Sequence, residues 1–228
     1  MCGRYTITRQ AGLIEDFEAV LDDRVQANVW WKPRFNVAPT QPAPVVMMRE
    51  GVRTLEMMRW GLVPLWGTKP GAKPPLMINA RVESLGAKQV FRDALAHKRC
   101  LVPADGFFEW CKNGRVPRPM YIHPGDGRFV AFAGLWASAG PLHSFTIVTG
   151  PGNALVKPIH DRMPMVLERD VWSTWLDPEI IAERASELLT VPALGDWRVD
   201  EVSPKVNKVA NDDATLVVAV QGVQPSLF

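Results

Sequence analysis

The chain has 228 residues, of which 47% are hydrophobic and 22% charged, and carries a formal net charge of +2. This is the composition of a globular chain with a buried core. It holds no apolar run near the ~20 residues of a membrane-spanning helix, so no membrane partner is expected. The opening Met1-Cys2-Gly3-Arg4-Tyr5 lacks the basic, then apolar, then small-residue order of a signal peptide, which predicts an intracellular protein.

The charge is unevenly spread. Residues 1–128 hold 19 Lys/Arg against 12 Asp/Glu, and residues 129–228 hold 7 against 12. A basic front portion with tryptophans among its arginines suits a polyanion with exposed bases, or is simple surface asymmetry. Three cysteines (Cys2, Cys100, Cys111) without a Cys-x-x-Cys pair argue for free thiols. Cys100 and Cys111 lie among apolar residues and read as core. The four histidines are scattered, so no metal is expected, and no nucleotide-binding glycine motif points to a cofactor.

In chain order, Thr8 can cap a helix from about Arg9 to Leu21, with Leu13, Ile14, Phe17, Val20 and Leu21 on one face. Strands are predicted at Pro44–Arg49, Thr54–Trp60 and Met77–Asn79. A second helix follows from about Ser84 to His97, with Val90, Ala94 and Leu95 inward. Further strands are predicted at Arg99–Pro103, Gly106–Cys111, Met120–His123, Phe129–Leu135, Ser144–Thr149 and Met163–Leu167. A short helical turn is read at 153–158, and helices at Arg169–Leu176 and Pro178–Leu188, the latter capped by Asp177. A last strand spans Trp197–Val202. The Gly150-Pro151-Gly152 and Gly125-Asp126-Gly127 stretches read as ordinary turns. Twenty prolines and 17 glycines cut the chain into short segments. The expected fold is α+β: one domain over 1–228, mainly antiparallel strands in a barrel-like core, with a few flanking helices.

Cys2 heads the candidate chemistry. Removal of Met1 gives it a free α-amine, with an ordinary pKa of about 7.7–8.0, beside a strongly nucleophilic thiol. Such a 1,2-aminothiol condenses with an aldehyde, first as a Schiff base and then as a thiazolidine. Equally, Met-Cys at a chain start can be incidental. Asn79, Arg81 and Glu83 alternate onto one side if their strand continues, where they can clamp a phosphate and orient a hydroxyl, or simply mark a solvated strand end. Glu109, within Asp105-Gly106-Phe107-Phe108-Glu109-Trp110, has aromatic neighbours that should raise its pKa by desolvation, unless it points to water. His160, in Ile159-His160-Asp161-Arg162-Met163-Pro164, titrates near neutrality and can pass protons, or is a satisfied structural histidine.

Six blocks occur in order: Met1-Cys2-Gly3-Arg4-Tyr5, Arg34-Phe35-Asn36-Val37-Ala38-Pro39-Thr40, Trp60-Gly61-Leu62-Val63-Pro64, Asn79-Ala80-Arg81-Val82-Glu83, Arg99 to Trp110, and His160-Asp161-Arg162-Met163-Pro164. Together they closely resemble the SRAP family (SOS response-associated peptidase, or abasic-site processing proteins), over residues 2 to about 211. The resemblance implies a sensor of abasic sites in single-stranded DNA in the damage response, working as a cytoplasmic, nucleoid-associated monomer. It casts Cys2 as the nucleophile that forms a thiazolidine with the ring-opened sugar. Asn79 orients the sugar and the amine, Glu109 is the acid/base, and His160 is the proton shuttle that opens the deoxyribose. Arg4, Arg81 and Trp110 become contacts to backbone and bases, with Pro39 and Trp66 near the kinked strand and Thr149 and Arg162 also on the DNA. Strand cleavage through the Schiff base is a further implied activity. Two other readings stay open: a thiol (auto)peptidase with Cys2 attacking a peptide carbonyl, and a non-catalytic single-stranded DNA binder. The chain departs from the family pattern at Phe35 and Phe108, where tyrosine is common, and at Leu65 and Gly150.

Overall fold

The structure, a computed structural model, describes residues 2–22, 32–64, 76–112 and 114–220. In chain order the elements are β1 (Tyr5–Ile7), α1 (Leu13–Phe17), β2 (Val20–Leu21), β3 (Arg34–Val37), β4 (Pro42–Arg49) and β5 (Val52–Trp60). Then come β6 (Asn79–Arg81), α2 (Gln89–His97), β7 (Arg99–Ala104), β8 (Gly106–Cys111), β9 (Arg118–Pro124) and β10 (Val130–Ala139). The last are β11 (Leu142–Pro151), β12 (Arg162–Pro164), β13 (Val166–Leu167), α3 (Trp172–Leu176), α4 (Ala182–Glu187) and β14 (Trp197–Glu201).

The fold is α+β, and its centre is a closed barrel. Antiparallel pairs link β5 to β4, β4 to β7, β7 to β10 and β10 to β11. The parallel pairing of β11 with β5, through Ser144↔Arg59 and Phe145↔Trp60, closes the ring. Closure removes the exposed edges that a five-strand open sheet would carry. Trp60, Phe132, Phe145, Leu101 and Val46 are fully buried in one continuous core. A second, five-stranded antiparallel sheet runs β14-β9-β8-β1-β3. Cys100 and Cys111 are buried free thiols, as their neighbours predict. Among the described residues no helix is long and apolar enough to cross a membrane.

The strands follow the sequence reading closely where they are long and apolar; the helices depart from it. Thr8 does not cap a helix. Its backbone N–H and hydroxyl both donate to Asp105 Oδ2, at 2.6 and 2.7 Å. The first helix shrinks to Leu13–Phe17, ended by Glu18 in the left-handed region at φ 50, and Val20 and Leu21 join β2 beside β5. The second helix starts at Gln89, after a 3-10 turn at Val82–Ser84; Ala94 and Leu95 face inward as predicted, joined by Phe91. No helix spans 153–158; residues 154–159 form turns. Asp177 does not cap a helix from Pro178 but accepts the Glu179 N–H (2.9 Å) in a turn, and α4 begins only at Ala182.

The Asp105 contacts decide where β1 lies. Its carboxylate, almost fully buried, also takes the Thr6 hydroxyl at 2.5 Å, and its N–H reaches Thr6 O at 3.0 Å. Three side-chain-directed bonds therefore clamp β1 against the β7–β8 corner, and so set the position of Cys2 three residues upstream of Tyr5. Asp105→Ala strands these donors and is expected to lower unfolding stability by about 3 kcal/mol in urea titration; a loss below about 1 kcal/mol would show that the clamp is dispensable.

Candidate active site

Cys2 is fully buried at the start of β1. β1 is held to β8 by the Tyr5↔Phe107 pair and by the bond from Phe108 N–H to Arg4 O (3.0 Å), so β8 runs alongside the chain start. Asn79 approaches from β6, which hangs in parallel on β11 through Asn79↔Ile147 and Thr149↔Arg81. The Asn79 amide donates to Cys2 O at 2.9 Å. Ala80 between them is buried, and Asn79 and Arg81 share the other side, as alternation requires.

The strand stops before Glu83, so the predicted three-residue face is broken by the 3-10 turn. Glu83 instead forms a two-pronged ion pair with Arg162, at 2.5 and 2.9 Å. The remaining Arg162 guanidinium bond goes to Thr149 O at 2.7 Å. The pair holds the Glu83 carboxyl below its usual range, chiefly through the Arg162 hydrogen bond.

Glu109 points inward from β8, a central strand, and is 3% exposed. Burial raises its carboxyl pKa, opposed by the positive charge of the chain terminus and of His160. Burial also pushes the Cys2 thiol far up, reinforced by the negative charge of Glu109. The thiol donates weakly to Arg4 O, at 3.9 Å. The Nδ1 atom of His160 accepts the Arg162 backbone N–H at 2.9 Å, which leaves the neutral ring its proton on Nε2. Asp161 Oδ1, on an 86% exposed side chain, lies 3.0 Å from Nδ1 and is the ion-pair partner of the protonated ring. Cys2 thus interacts electrostatically with Glu109, and Glu109 with His160, while Asn79 is hydrogen-bonded to Cys2 O.

Arg4 is partly buried, which lowers its pKa, and it donates to Val206 O at 3.2 Å. Trp110 donates to Asn207 Oδ1 at 2.7 Å. Arg81 is exposed, and Thr149 is fully buried. Pro39 sits in the turn between β3 and β4, next to Thr40 at φ 74. Trp66 and Leu65 lie outside the described residues. Asn79 Oδ1, Thr149 Oγ1, Arg4 Nε and Arg162 Nε are buried without a hydrogen-bond partner, an arrangement that favours a polar ligand. Beside Asn79 and Arg81 opens a groove of about 440 Å³, lined also by Ser84, Lys88 and Phe91. Lys88 and Ser84 escaped the sequence reading because they fell within an expected continuous helix. Lys88 instead precedes α2, and its ammonium lies 5.7 Å from the centre of the Phe91 ring. A cavity of about 330 Å³ elsewhere, between Asp16, Phe129, Trp172 and Trp197, includes none of the Cys2 group. Among the described residues no cluster of three or more His, Cys, Asp or Glu side chains is placed to hold a metal ion.

The sequence model of the SOS response associated peptidase (SRAP) family matches residues 1–209. The chain belongs to this family. It is 35% identical to the abasic site processing protein YoaM of Bacillus subtilis, over 96% of this chain and 98% of that one. It is 32% identical to the abasic site processing protein YedK of Escherichia coli, over 96% and 100%. A crystal structure of a Bacteroides thetaiotaomicron protein shares the fold, with a TM-score of 0.84 at 22% identity, covering 96% of this chain and all of that one.

Two departures from the SRAP pattern have structural reasons here. Phe108 is fully buried in an apolar cluster with Tyr121, Val202, Val206 and Leu216, its ring centroid 5.0 Å from that of Tyr121. Gly150 is not in a turn but within β11, where an added Cβ would come 2.3 Å from Met165 Sδ. Methionine thus fills the space a side chain would use. Gly152 is likewise no ordinary turn residue, as its neighbours below show.

Proposed function

We propose that this chain covalently captures ring-opened abasic sites in single-stranded DNA through Cys2, once Met1 has been removed. The observation that carries this reading is the Asn79 amide bonded to Cys2 O at 2.9 Å, beside a buried Glu109 that feels the charge of His160. The names of the YoaM and YedK relatives support the substrate class.

The chemistry follows from the groups present. His160, with Nε2 carrying the proton, exchanges it with the sugar's ring oxygen and hemiacetal hydroxyl as the ring opens to the C1′ aldehyde. The neutral amine of Cys2 adds to that carbon, and the aldehyde oxygen leaves as water, protonated by Glu109. Burial keeps Glu109 protonated to a higher pH than an exposed carboxyl, as an acid needs here. The thiol then adds to the imine carbon. Its proton passes to the imine nitrogen, and a five-membered thiazolidine forms with one water lost overall. Closure removes the imine that strand cleavage by elimination needs, so capture suppresses cleavage.

The raised thiol pKa supports an order in which the amine attacks first. A peptidase needs a thiolate as its opening nucleophile. Arg4, Arg81 and Arg162 supply cationic contacts to phosphates, and Trp110 a face for a base. Every group invoked comes from one copy of the chain. A sugar reaching buried Cys2 must leave the base stack, which favours single strands.

The test is incubation of the Met1-free protein with three oligonucleotides: abasic single-stranded, intact single-stranded, and abasic within a duplex. A denaturation-stable adduct is expected on the first alone. Equal adduct on the intact strand, or none on the abasic one, overturns the proposal.

A further inference from the structure

His160 lies at the closing end of a compact loop, and the residues that fix this loop lie at its opening end. Gly152 N–H donates to Asp161 O at 2.8 Å, just beyond the last rung of the β11–β12 ladder, Pro151↔Arg162. A Cβ on Gly152 would stand 2.7 Å from the His160 carbonyl oxygen and 3.3 Å from Lys157 N. Both are backbone atoms, so no side chain can turn aside to make room. Only a residue without Cβ lets the two arms of the loop approach this closely.

Asn153 uses its whole side-chain amide. Oδ1 accepts the N–H groups of Leu155 (3.1 Å) and Val156 (3.0 Å). Nδ2 donates to Pro192 O (2.8 Å) and Ala193 O (3.2 Å), some forty residues along the chain. Its own carbonyl takes the Lys157 N–H at 2.8 Å. The next turn passes this order to the histidine: Val156 O accepts both Ile159 N–H (2.8 Å) and His160 N–H (2.9 Å). Val156 and Ile159 are buried, so the loop is anchored in the core on one side and to residues 192–193 on the other. A solvated turn would need neither anchor.

We infer that Gly152 and Asn153 are positioning residues that set where the His160 ring stands against Glu109. This deepens the proposed capture mechanism and rests on His160 serving as its proton carrier. Neither residue touches the reacting atoms. Asn153 acts by tying the loop to residues 192–193, and Gly152 by allowing the close approach behind His160. Among the described residues, charged groups near the ring include Asp161 on its own loop and Glu109 from β8, with Arg162 held by Glu83 on the adjoining strand. A displaced loop changes the ring's distance to both carboxylates.

The experiment uses two variants of the full chain. Asn153→Ser keeps an oxygen that can accept the turn N–H groups and adds no charge, but it cannot donate to Pro192 and Ala193. Gly152→Ala pushes on the His160 carbonyl. The His160 ring titration is followed by NMR in the free protein, and the rate of adduct formation on abasic single-stranded DNA is measured across pH. Both variants are expected to shift the His160 midpoint, to slow adduct formation by about tenfold, and to move the pH-rate profile with the midpoint. Asn153→Gln, too long for the same turn, is expected not to restore the wild-type profile. Unchanged His160 titration and an unchanged pH profile in both folded variants, whatever the melting temperature does, overturns the inference. The NMR readout needs no DNA. Failure of wild-type protein to form adduct would therefore sink the capture proposal alone, while an unshifted His160 midpoint would sink the positioning role alone.

Discussion

Cys2→Ala is expected to abolish the denaturation-stable adduct on abasic single-stranded DNA while leaving the fold intact. The variant keeps a terminal amine after Met1 removal, so it can still form an imine. Borohydride will trap that imine, but without reduction it hydrolyses, because no sulfur is present to close the ring. The loss is therefore specific to the second bond. The fold has little reason to suffer. Cys2 is small, its thiol makes one weak 3.9 Å contact, and its backbone carbonyl, the atom Asn79 holds, is unchanged. Denaturant unfolding should place the stability loss at about 1 kcal/mol. A stable unreduced adduct from Cys2→Ala would mean that another group supplies the second bond.

Glu109→Gln separates activity from stability. Glutamine fills the same space but cannot give up a proton, so adduct formation at neutral pH should slow by about 100-fold, the usual worth of a positioned acid or base. The stability effect has the opposite sign. Burial raises the folded pKa of Glu109 above its unfolded value. Its contribution to stability is thus complete below the unfolded pKa, about 4.3, and is lost as pH rises through the folded pKa. Above the unfolded pKa the wild type therefore loses stability that the uncharged variant keeps. Glu109→Gln should therefore be the more stable protein near neutrality, with the advantage vanishing toward about pH 4. Urea titrations at the two pH values check this. A variant destabilised at neutral pH would show that the ionised carboxylate is a structural partner, and an unimpaired rate would remove Glu109 from the chemistry.

The sequence carries the long strands because their patterns are local. β8 runs over Gly106–Cys111 as its apolar, turn-flanked stretch predicts, β4, β5 and β11 extend the predicted cores by two residues at one or both ends, and β10 runs on past its predicted end to Ala139. β1 and β3 were not legible in this way, and the reason is distance along the chain. β1 is fixed by Asp105, about a hundred residues away. β3 is fixed by Asp212, whose carboxylate takes the N–H groups of Phe35 (2.5 Å) and Asn36 (3.0 Å) and the Arg34 side chain (2.6 Å). Asn36 adds bonds to the carbonyls of Val206, Lys208 and Asn211, so residues 204–213 act as a brace for the front strands. No window of sequence shows such a partner. The overlong first helix fails for the same reason: Thr8 is engaged as a donor to Asp105 instead of accepting from a helix end, and Gly12 precedes α1.

The candidate site divides similarly. The residue types were visible in the six ordered blocks, and aromatic neighbours foretold the burial of Glu109. The link between Asn79 and Cys2 depends on β6 pairing with β11, and the hold on His160 depends on Asn153 reaching residues 192–193. Lys88 stayed hidden because a helix was expected to run through it. In each case the chemistry was written in residue identity, and the geometry in contacts between segments far apart in sequence.

The most direct test of covalent capture is the intact mass of the conjugate formed with one abasic single-stranded oligonucleotide, without reductant. The account predicts the mass of the Met1-free chain plus the oligonucleotide less one water, with the DNA-bearing fragment mapping to Cys2. A conjugate that retains Met1, or one whose modified peptide excludes Cys2, would contradict it.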